Sequence, residues 1–409
     1  MLYFCGFLKT KTIIVSIHKG LISLAVGGFG IGMTEFVMMG ILPDVAQDLN
    51  ITIPQAGHFI SAYALGVVIG APILVMLAGN FPPKKLLLAL MTAFTCFNAM
   101  SIFAPSYEVM LITRLFSGLP HGAFFGVGAV VASRLVEKNK AASAVAVMLS
   151  GLTFANIIGI PIGTYVGHNI SWRYTFVMVA VIGLLAITAI FIWMPNLAKN
   201  KPAKVIDDLK VFTHLEPWLI LGITAIGTGG FFAWYSYITP LLTEVSGFSN
   251  NNVTFILMLA GIGMTVGNFA GGKLADKVSP LKATAILLAI MAFALVLVSV
   301  LAPVKWATIL IAFLTGGIAF STASPIQMLM IKASRGSEML ASSVNQAGFN
   351  IGNATGAFLG GLPIAAGLGY ASPELVGAAM AFGGVLVALS IIALRKKRSN
   401  AAVLASSSN

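Results

Sequence analysis

Two stretches of this chain, GLTFANIIGIPIG at residues 151–163 and GFNIGNATGAFLG at 348–360, read as one motif written twice. Gly151 maps on Gly348, Asn156 on Asn353, Gly159 on Gly356 and Gly163 on Gly360. The same offset carries Pro43 onto Pro240, Gly66 onto Gly263 and Gly70 onto Gly267. Gly matches alone would mean little in a chain with 43 glycines. The matched asparagines and the unchanged offset make the repeat a property of the whole chain. Each stretch is apolar and places small residues every four positions, on one helical face. Such a face lets helix backbones approach closely in lipid. It can be a packing surface only, or a smooth surface that slides as two halves rock; the sequence leaves both open.

Composition sets the surroundings. Of the 409 residues, 58% are hydrophobic and 9% charged, with a mean hydropathy of +0.96. Soluble domains carry roughly 25% charged residues, so this chain cannot cover a water-facing surface. A membrane span needs about 20 apolar residues. Twelve runs qualify: 20–41, 55–79, 85–104, 108–133, 142–167, 173–194, 217–239, 252–273, 282–302, 306–331, 338–363 and 373–394. The expected fold is an all-α polytopic membrane protein with twelve transmembrane helices in two six-helix pseudo-repeats. The expected division is a tail at 1–19, a first bundle at 20–195, a linker at 196–216, a second bundle at 217–395 and a tail at 396–409.

The net charge of +12 follows the membrane rather than a nucleic acid. Lys and Arg total 24, and all but Arg114, Arg173 and Lys305 fall at one set of span ends. Excess basic charge marks the cytoplasmic side, so both termini of a multi-pass membrane protein are expected in the cytoplasm. The apolar start, Met1 to Phe7, is too short to span and shows no small-residue cleavage site; a cytoplasmic extension is expected. Cys5 and Cys96 imply no disulfide framework.

Ionisable groups inside spans are costly, and each is a functional candidate. Glu35 lies about 12 Å inside the outer end of the first run, and Arg114 about 9 Å inside that of the fourth. Matched depths suggest an ion pair across a central cavity. His121 follows Arg114 by two helical turns on nearly the same face, and histidine titrates near neutral pH. Glu35, Arg114 and His121 are therefore proton-coupling candidates; a purely structural Glu35–Arg114 pair and a kink at Pro120 are the plain alternatives. Asp44 and Asp48 fall in the first external loop and read as solvated.

The second half carries amides instead. Ser342, Gln346, Asn350 and Asn353 share one face of the eleventh run, where a polar stripe belongs towards protein or water. The seventh adds Phe231, Phe232, Trp234, Tyr235 and Tyr237. Tyr63, Asn156, Trp234, Tyr235, Gln346 and Asn350 are the substrate-cavity candidates. Their plain alternatives are interhelical hydrogen bonds and an aromatic interface belt. No phosphate loop and no Cys/His set with metal-ligand spacing is present, so no cofactor or metal is expected and transport must run on a gradient.

Three motifs resemble those of the major facilitator superfamily, in its twelve-span drug:proton antiporter branch. Residues 114–118, RLFSG, are similar to the fourth-span signature, whose arginine is linked to proton coupling. Gly151 to Gly163, with Gly159 and Pro161 at its end, resembles the fifth-span antiporter signature. Residues 272–277, GKLADK, resemble the cytoplasmic gate signature and make Asp276 and Lys277 gate candidates. The first copy of that gate departs from the pattern, with Gly79 and Asn80 where an acid and a base are expected. Residues 35–40 (EFVMMG), 56–58 (AGH), 63–68 (YALGVV) and 120–129 (PHGAFFGVGA) are similar to bacterial arabinose-efflux-type (AraJ-like) permeases. The resemblance implies a transporter working as a monomer in the bilayer of the bacterial inner membrane, exporting sugars or small amphipathic drugs against protons. A proton-independent facilitator or channel and a membrane-embedded enzyme are the alternatives.

Overall fold

A computed structural model describes residues 19–78, 81–137, 141–198, 210–334 and 338–407. Among these residues there is no strand. In lipid every backbone polar group must be satisfied within the chain, and helices do this locally. The first half contains α1 (Lys19–Gly40), α2 (Ile53–Ala78), α3 (Pro83–Ile102), α4 (Tyr107–Arg134) and α6 (Trp172–Trp193). Between the last two, α5 runs as Ala141–Phe154 and Ile160–Asn169, joined by a π-helical turn at Ala155–Gly159. In the second half α7 is broken into Leu215–Gly222, Gly229–Tyr235 and Ile238–Pro240, with π turns at Ile223–Gly227 and Leu241–Val245. It is followed by α8 (Asn250–Val278) and α9 (Pro280–Leu301). Next come α10 (Lys305–Ser321, then Ala323–Ala333), α11 (Glu338–Ala365) and α12 (Pro373–Ser407).

Among the described residues eleven helices are long and apolar enough to cross a membrane. The twelfth, α11, has the length, but its run of amides lowers its hydropathy. The expected tail at 1–19 and linker at 196–216 lie largely outside the described residues, as do Gly79 and Asn80. At the other end α12 continues as helix to Ser407, past the expected bundle limit at 395.

Both halves use glycine at the same place for the same purpose. Gly66 and Gly70 set α2 directly on the α4 backbone at Leu115 and Leu119, and their repeat partners Gly263 and Gly267 set α8 on α10 at Phe313 and Gly317. The other glycine faces pack within each half. Gly151, Gly159 and Gly163 face Phe29, Met33 and Val37 of α1, while Gly352 and Gly356 face Thr228, Gly229 and Phe232 of α7. These faces therefore do not form a sliding surface between halves. One crossing between halves is made by Gly261 of α8, which sits on the backbone of Asn156 and Ile157 within the π turn of α5.

Among the described residues the apolar interior falls into three clusters. One unites both halves, bringing Phe36, Ile41, Phe59 and Trp172 together with Phe232, Trp234, Leu241 and Leu257. A second belongs wholly to the first half, around Leu24, Phe94, Phe124 and Ile190, and a third wholly to the second, around Ile223, Leu288, Leu329 and Ile391. The shared cluster lies at the ends poor in Lys and Arg; the separate ones lie at the basic ends.

Hydrogen bonds follow the same division. Thr239 Oγ1 donates to the carbonyls of Met39 and Gly40 (2.8 and 3.0 Å), Asn169 Nδ2 to Asn251 Oδ1 (2.9 Å) and Ser61 Oγ to the Ala354 carbonyl (2.9 Å). Between described residues, no hydrogen bond joins the halves at the basic ends. Asp44 and Asp48 lie at the sealed ends, Asp48 exposed as read and Asp44 half-buried. Asp44 Oδ2 lies 2.7 Å from His168 Nδ1, and Asp48 pairs with Arg173 and accepts from the Trp172 indole. Burial opposes the Asp48 charge, yet the hydrogen bonds from Arg173 and Trp172 hold its carboxyl below the ordinary value.

Candidate functional site

Glu35 sits on α1 one residue after Thr34, in a helix whose other inward positions are apolar or small. The residue is 4% exposed. It lies beside the Asn353 amide of α11 and within Coulombic reach of Arg114. Glu35 Oε1 and both amide atoms of Asn353 nonetheless have no hydrogen-bond partner. The two face each other from opposite halves without the geometry of a bond.

Arg114 on α4 is completely buried. The expected ion pair with Glu35 is absent: among the described residues none joins them. Instead Nη1 donates to Thr34 Oγ1 (2.9 Å) and Nη2 to the Thr34 carbonyl (3.0 Å). Thr34 Oγ1 in turn donates to Asn98 Oδ1 (2.6 Å), and Asn98 Nδ2 to the Phe94 carbonyl (2.8 Å). The physical reason is geometric. A guanidinium offers a fixed fork of donors, and the hydroxyl and carbonyl of one residue fit two of its prongs. Arg114 Nε remains unpartnered.

The guanidinium also lies over the Tyr63 ring, 4.4 Å from its centroid. Tyr63 Oη is 3.1 Å from His121 Nδ1, and His121 packs edge-on against Phe125 at 5.4 Å. Tyr63, expected at the substrate cavity, thus stands between Arg114 and His121. The column inferred from Glu35, Arg114 and His121 comes together only with Thr34 and Tyr63 inserted. Thr34 and Asn98 carried no charge to single them out in sequence. A lone Asn in the apolar run of α3 was the available signal.

The remaining candidates lie on several elements. Asn156 is buried in the π turn of α5, its Oδ1 unpartnered; Asn350 is likewise buried with Oδ1 unpartnered. Gln346 is half-buried, and its carbonyl accepts from Asn350 Nδ2 (3.1 Å). Tyr235 belongs to a buried aromatic group, stacked on Phe231 at 4.9 Å and edge-on to Phe36 at 6.2 Å. Trp234 is buried with its indole N–H unpartnered. Asn345, which sequence reading passed over, links Gln327 (2.7 Å) and Thr224 (2.7 Å) across α10, α11 and α7. Asp276 and Lys277 are exposed at the basic end of α8, with no hydrogen bond or ion pair among the described residues. Buried polar atoms are rarely left unpaired. Here those of Glu35, Asn156, Trp234, Asn350 and Asn353 lie on α1, α5, α7 and α11, and across the halves α5 meets α8 and α11 meets α2.

The Major Facilitator Superfamily model matches residues 24–343. The chain belongs to that superfamily. It is 40% identical over 367 residues to the putative transporter AraJ of Escherichia coli (strain K12), covering 90% of this chain and 93% of the relative. It is 30% identical over 373 residues to a chloramphenicol resistance protein of Streptomyces lividans, covering 90% and 93%. The fold resembles the crystal structure of a D-xylose-proton symporter, with a TM-score of 0.73 at 13% identity over 91% of this chain and 96% of that one. Superfamily membership makes this a multi-pass membrane transporter for small molecules and excludes the membrane-enzyme reading.

Proposed function

We propose that the chain is a proton-coupled exporter of sugars or small amphipathic compounds, working by alternating access as a monomer. The observation that carries this reading is Glu35, a buried carboxyl with a free oxygen, placed at the junction of the halves. A carboxylate there costs far more to bury than a neutral carboxyl, so binding and loss of a proton change which arrangement of the halves is favoured. Arg114, fixed by Thr34 one residue away, supplies the positive field that makes ionisation accessible. Tyr63 connects it to His121, a further candidate.

Export, rather than uptake, is supported by the resemblance of Gly151–Gly163 to the antiporter signature and by the similarity to a drug-resistance protein. Asn156, Asn350, Asn353, Gln346, Trp234 and Tyr235 are proposed to contact the substrate. Amides and aromatic rings together suit molecules with both hydroxyls and apolar faces. The Lys and Arg distribution supports an inner-membrane orientation with both termini in the cytoplasm, with two bundles joined by a cytoplasmic linker. In that orientation the shared core and the Thr239 and Asn169 bonds close the outer side, an inward-facing state. Asp276 and Lys277, free here, are proposed to engage when the cytoplasmic side closes.

The test uses everted vesicles holding a pH gradient. Addition of a pentose, an oligosaccharide or a lipophilic drug should release protons from the wild type and not from Glu35→Gln. Proton release that is equal in the two would end the assignment of Glu35.

A further inference from the structure

The second half buries a carboxyl for which the reading above has no use. Glu374, the second residue of α12, is fully buried, and both its oxygens lack hydrogen-bond partners. In sequence it sits at a span boundary, where an acid is ordinarily wet. Its own backbone N–H approaches it without hydrogen-bond geometry, so it does not cap the first turn of α12.

Its surroundings follow from the turn below. Gly377 packs on Gly230 of α7, and its missing Cβ would stand 3.2 Å from Leu295 of α9. One turn outward from these three residues come Glu374, Trp234 and Val298. Trp234 and Val298 line an apolar cavity together with Ile238, Leu241, Leu242 and Ala312, and the Trp234 indole N–H is also unpartnered. The loop entering α12 is tied down by Ser299 Oγ, which donates to the Ala371 carbonyl (2.6 Å).

Among the described residues no ion pair or hydrogen bond joins Glu374 to a cation. On α7 the titratable group at this level is Tyr235, stacked on Phe231. Lys282 of α9 and Glu338 of α11 lie at the opposite ends of their helices. Tyr370 in the preceding loop lies near Glu244, and Lys305 lies over the Phe248 ring, 5.5 Å from its centroid. A carboxylate buried with neither a cation nor a donor is far costlier than a neutral carboxyl.

The α7 segment packed against the start of α12 is also part of the outer seal. Trp234, Ile238 and Leu241 belong to the stretch of α7 that is broken after Tyr235 and again becomes a π turn at Leu241–Val245. Thr239, in the middle of that stretch, makes the bonds to Met39 and Gly40 of α1. Movement of this segment away from α1 changes the packing of α7 on α12 one turn from Glu374.

We propose that Glu374 is a second proton site, built into the outer seal: it holds a proton while the seal is closed and releases it when the seal opens. The proposal rests on the alternating-access reading for its second clause only. It is tested on the full chain in lipid nanodiscs, with Glu35→Gln as the parent so that Glu35 does not contribute. Infrared spectroscopy at neutral pH should show a carboxylic-acid C=O band in the parent that is missing from the Glu35→Gln/Glu374→Gln protein. Identical spectra would overturn the proposal. Spin labels across the outer ends of α1 and α7 then report the open-to-closed ratio against pH. One proton released on opening raises that ratio by up to tenfold per pH unit. The parent should show this slope and the double variant should lose it; an equal slope in both would overturn the link to the seal. Outer ends that stay closed at every pH would sink the alternating-access reading, while the infrared band still decides where the proton sits.

Discussion

Thr34→Val exchanges a hydroxyl for a methyl at nearly constant shape, which isolates the anchor of Arg114. The Thr34 hydroxyl accepts from Arg114 Nη1 at 2.9 Å and donates to Asn98 Oδ1 at 2.6 Å, in a fully buried setting. A hydrogen bond to a charged group contributes about 1.5–3 kcal/mol, and leaving a buried acceptor unsatisfied costs about 1–3 kcal/mol. The bond from Nη2 to the Thr34 carbonyl survives the change, so the guanidinium stays in place with one prong empty. The expected loss is about 2.5–6 kcal/mol, the sum of those two effects. Thermal unfolding in detergent should show a clear drop in midpoint, and Thr34→Ser, which keeps the hydroxyl, should restore most of it. A double-mutant cycle with Arg114→Met sharpens the test, because residues in one network are non-additive. Coupling of at least about 1.5 kcal/mol is expected. A Thr34→Val protein within about 0.5 kcal/mol of wild type, or strict additivity with Arg114→Met, would refute the anchoring argument.

Other perturbations test the seal and the crossing. Thr239→Ala removes both bonds to the end of α1; at about 0.5–1.5 kcal/mol for a net hydrogen bond, the outer-open fraction should rise roughly two- to tenfold, read by cysteine labelling from the outside. Gly261→Val places a branched side chain against the Asn156 backbone, whose carbonyl carbon lies 2.8 Å from the Cβ position; transport should fall severely while each bundle keeps its helix content by circular dichroism, and wild-type flux would show that the crossing tolerates separation. Asp48 is held below its ordinary value by Arg173 and Trp172, so its stabilisation is present above a pH of about 4 and is lost as pH falls further. Because the pair is partly exposed, Asp48→Asn should cost under about 1 kcal/mol at neutral pH and flatten the acid limb of the stability curve.

Much of the architecture was legible because a membrane enforces a simple code. Length of apolar run gives the spans, and the paired stretches at 151–163 and 348–360 give the two halves. Basic residues mark one set of ends, and these coincide with the ends where the two cores are separate. Contacts between elements were less legible. Depth along a helix placed Glu35 and Arg114 at one level, but depth contains no information about rotation, and the guanidinium turned to Thr34 instead. The glycine faces of α5 and α11 have the right spacing for close approach, yet spacing does not name the neighbour, which is a helix of the same half in each case. Thr34 and Asn98 were invisible because neutral polar residues are common in apolar helices and only the fold shows which ones hold a charge. Glu374 was overlooked for a related reason: a residue at a span boundary is expected to meet water, and only the packing of α7 and α9 shows that it does not.

The most direct test of the central claim is substrate-dependent proton release in energised everted vesicles, comparing wild type with Glu35→Gln at equal protein levels. The account predicts release in the wild type for at least one sugar or amphipathic drug, and none in the variant. Efflux of that compound by Glu35→Gln at the wild-type rate, with the same proton release, would contradict it.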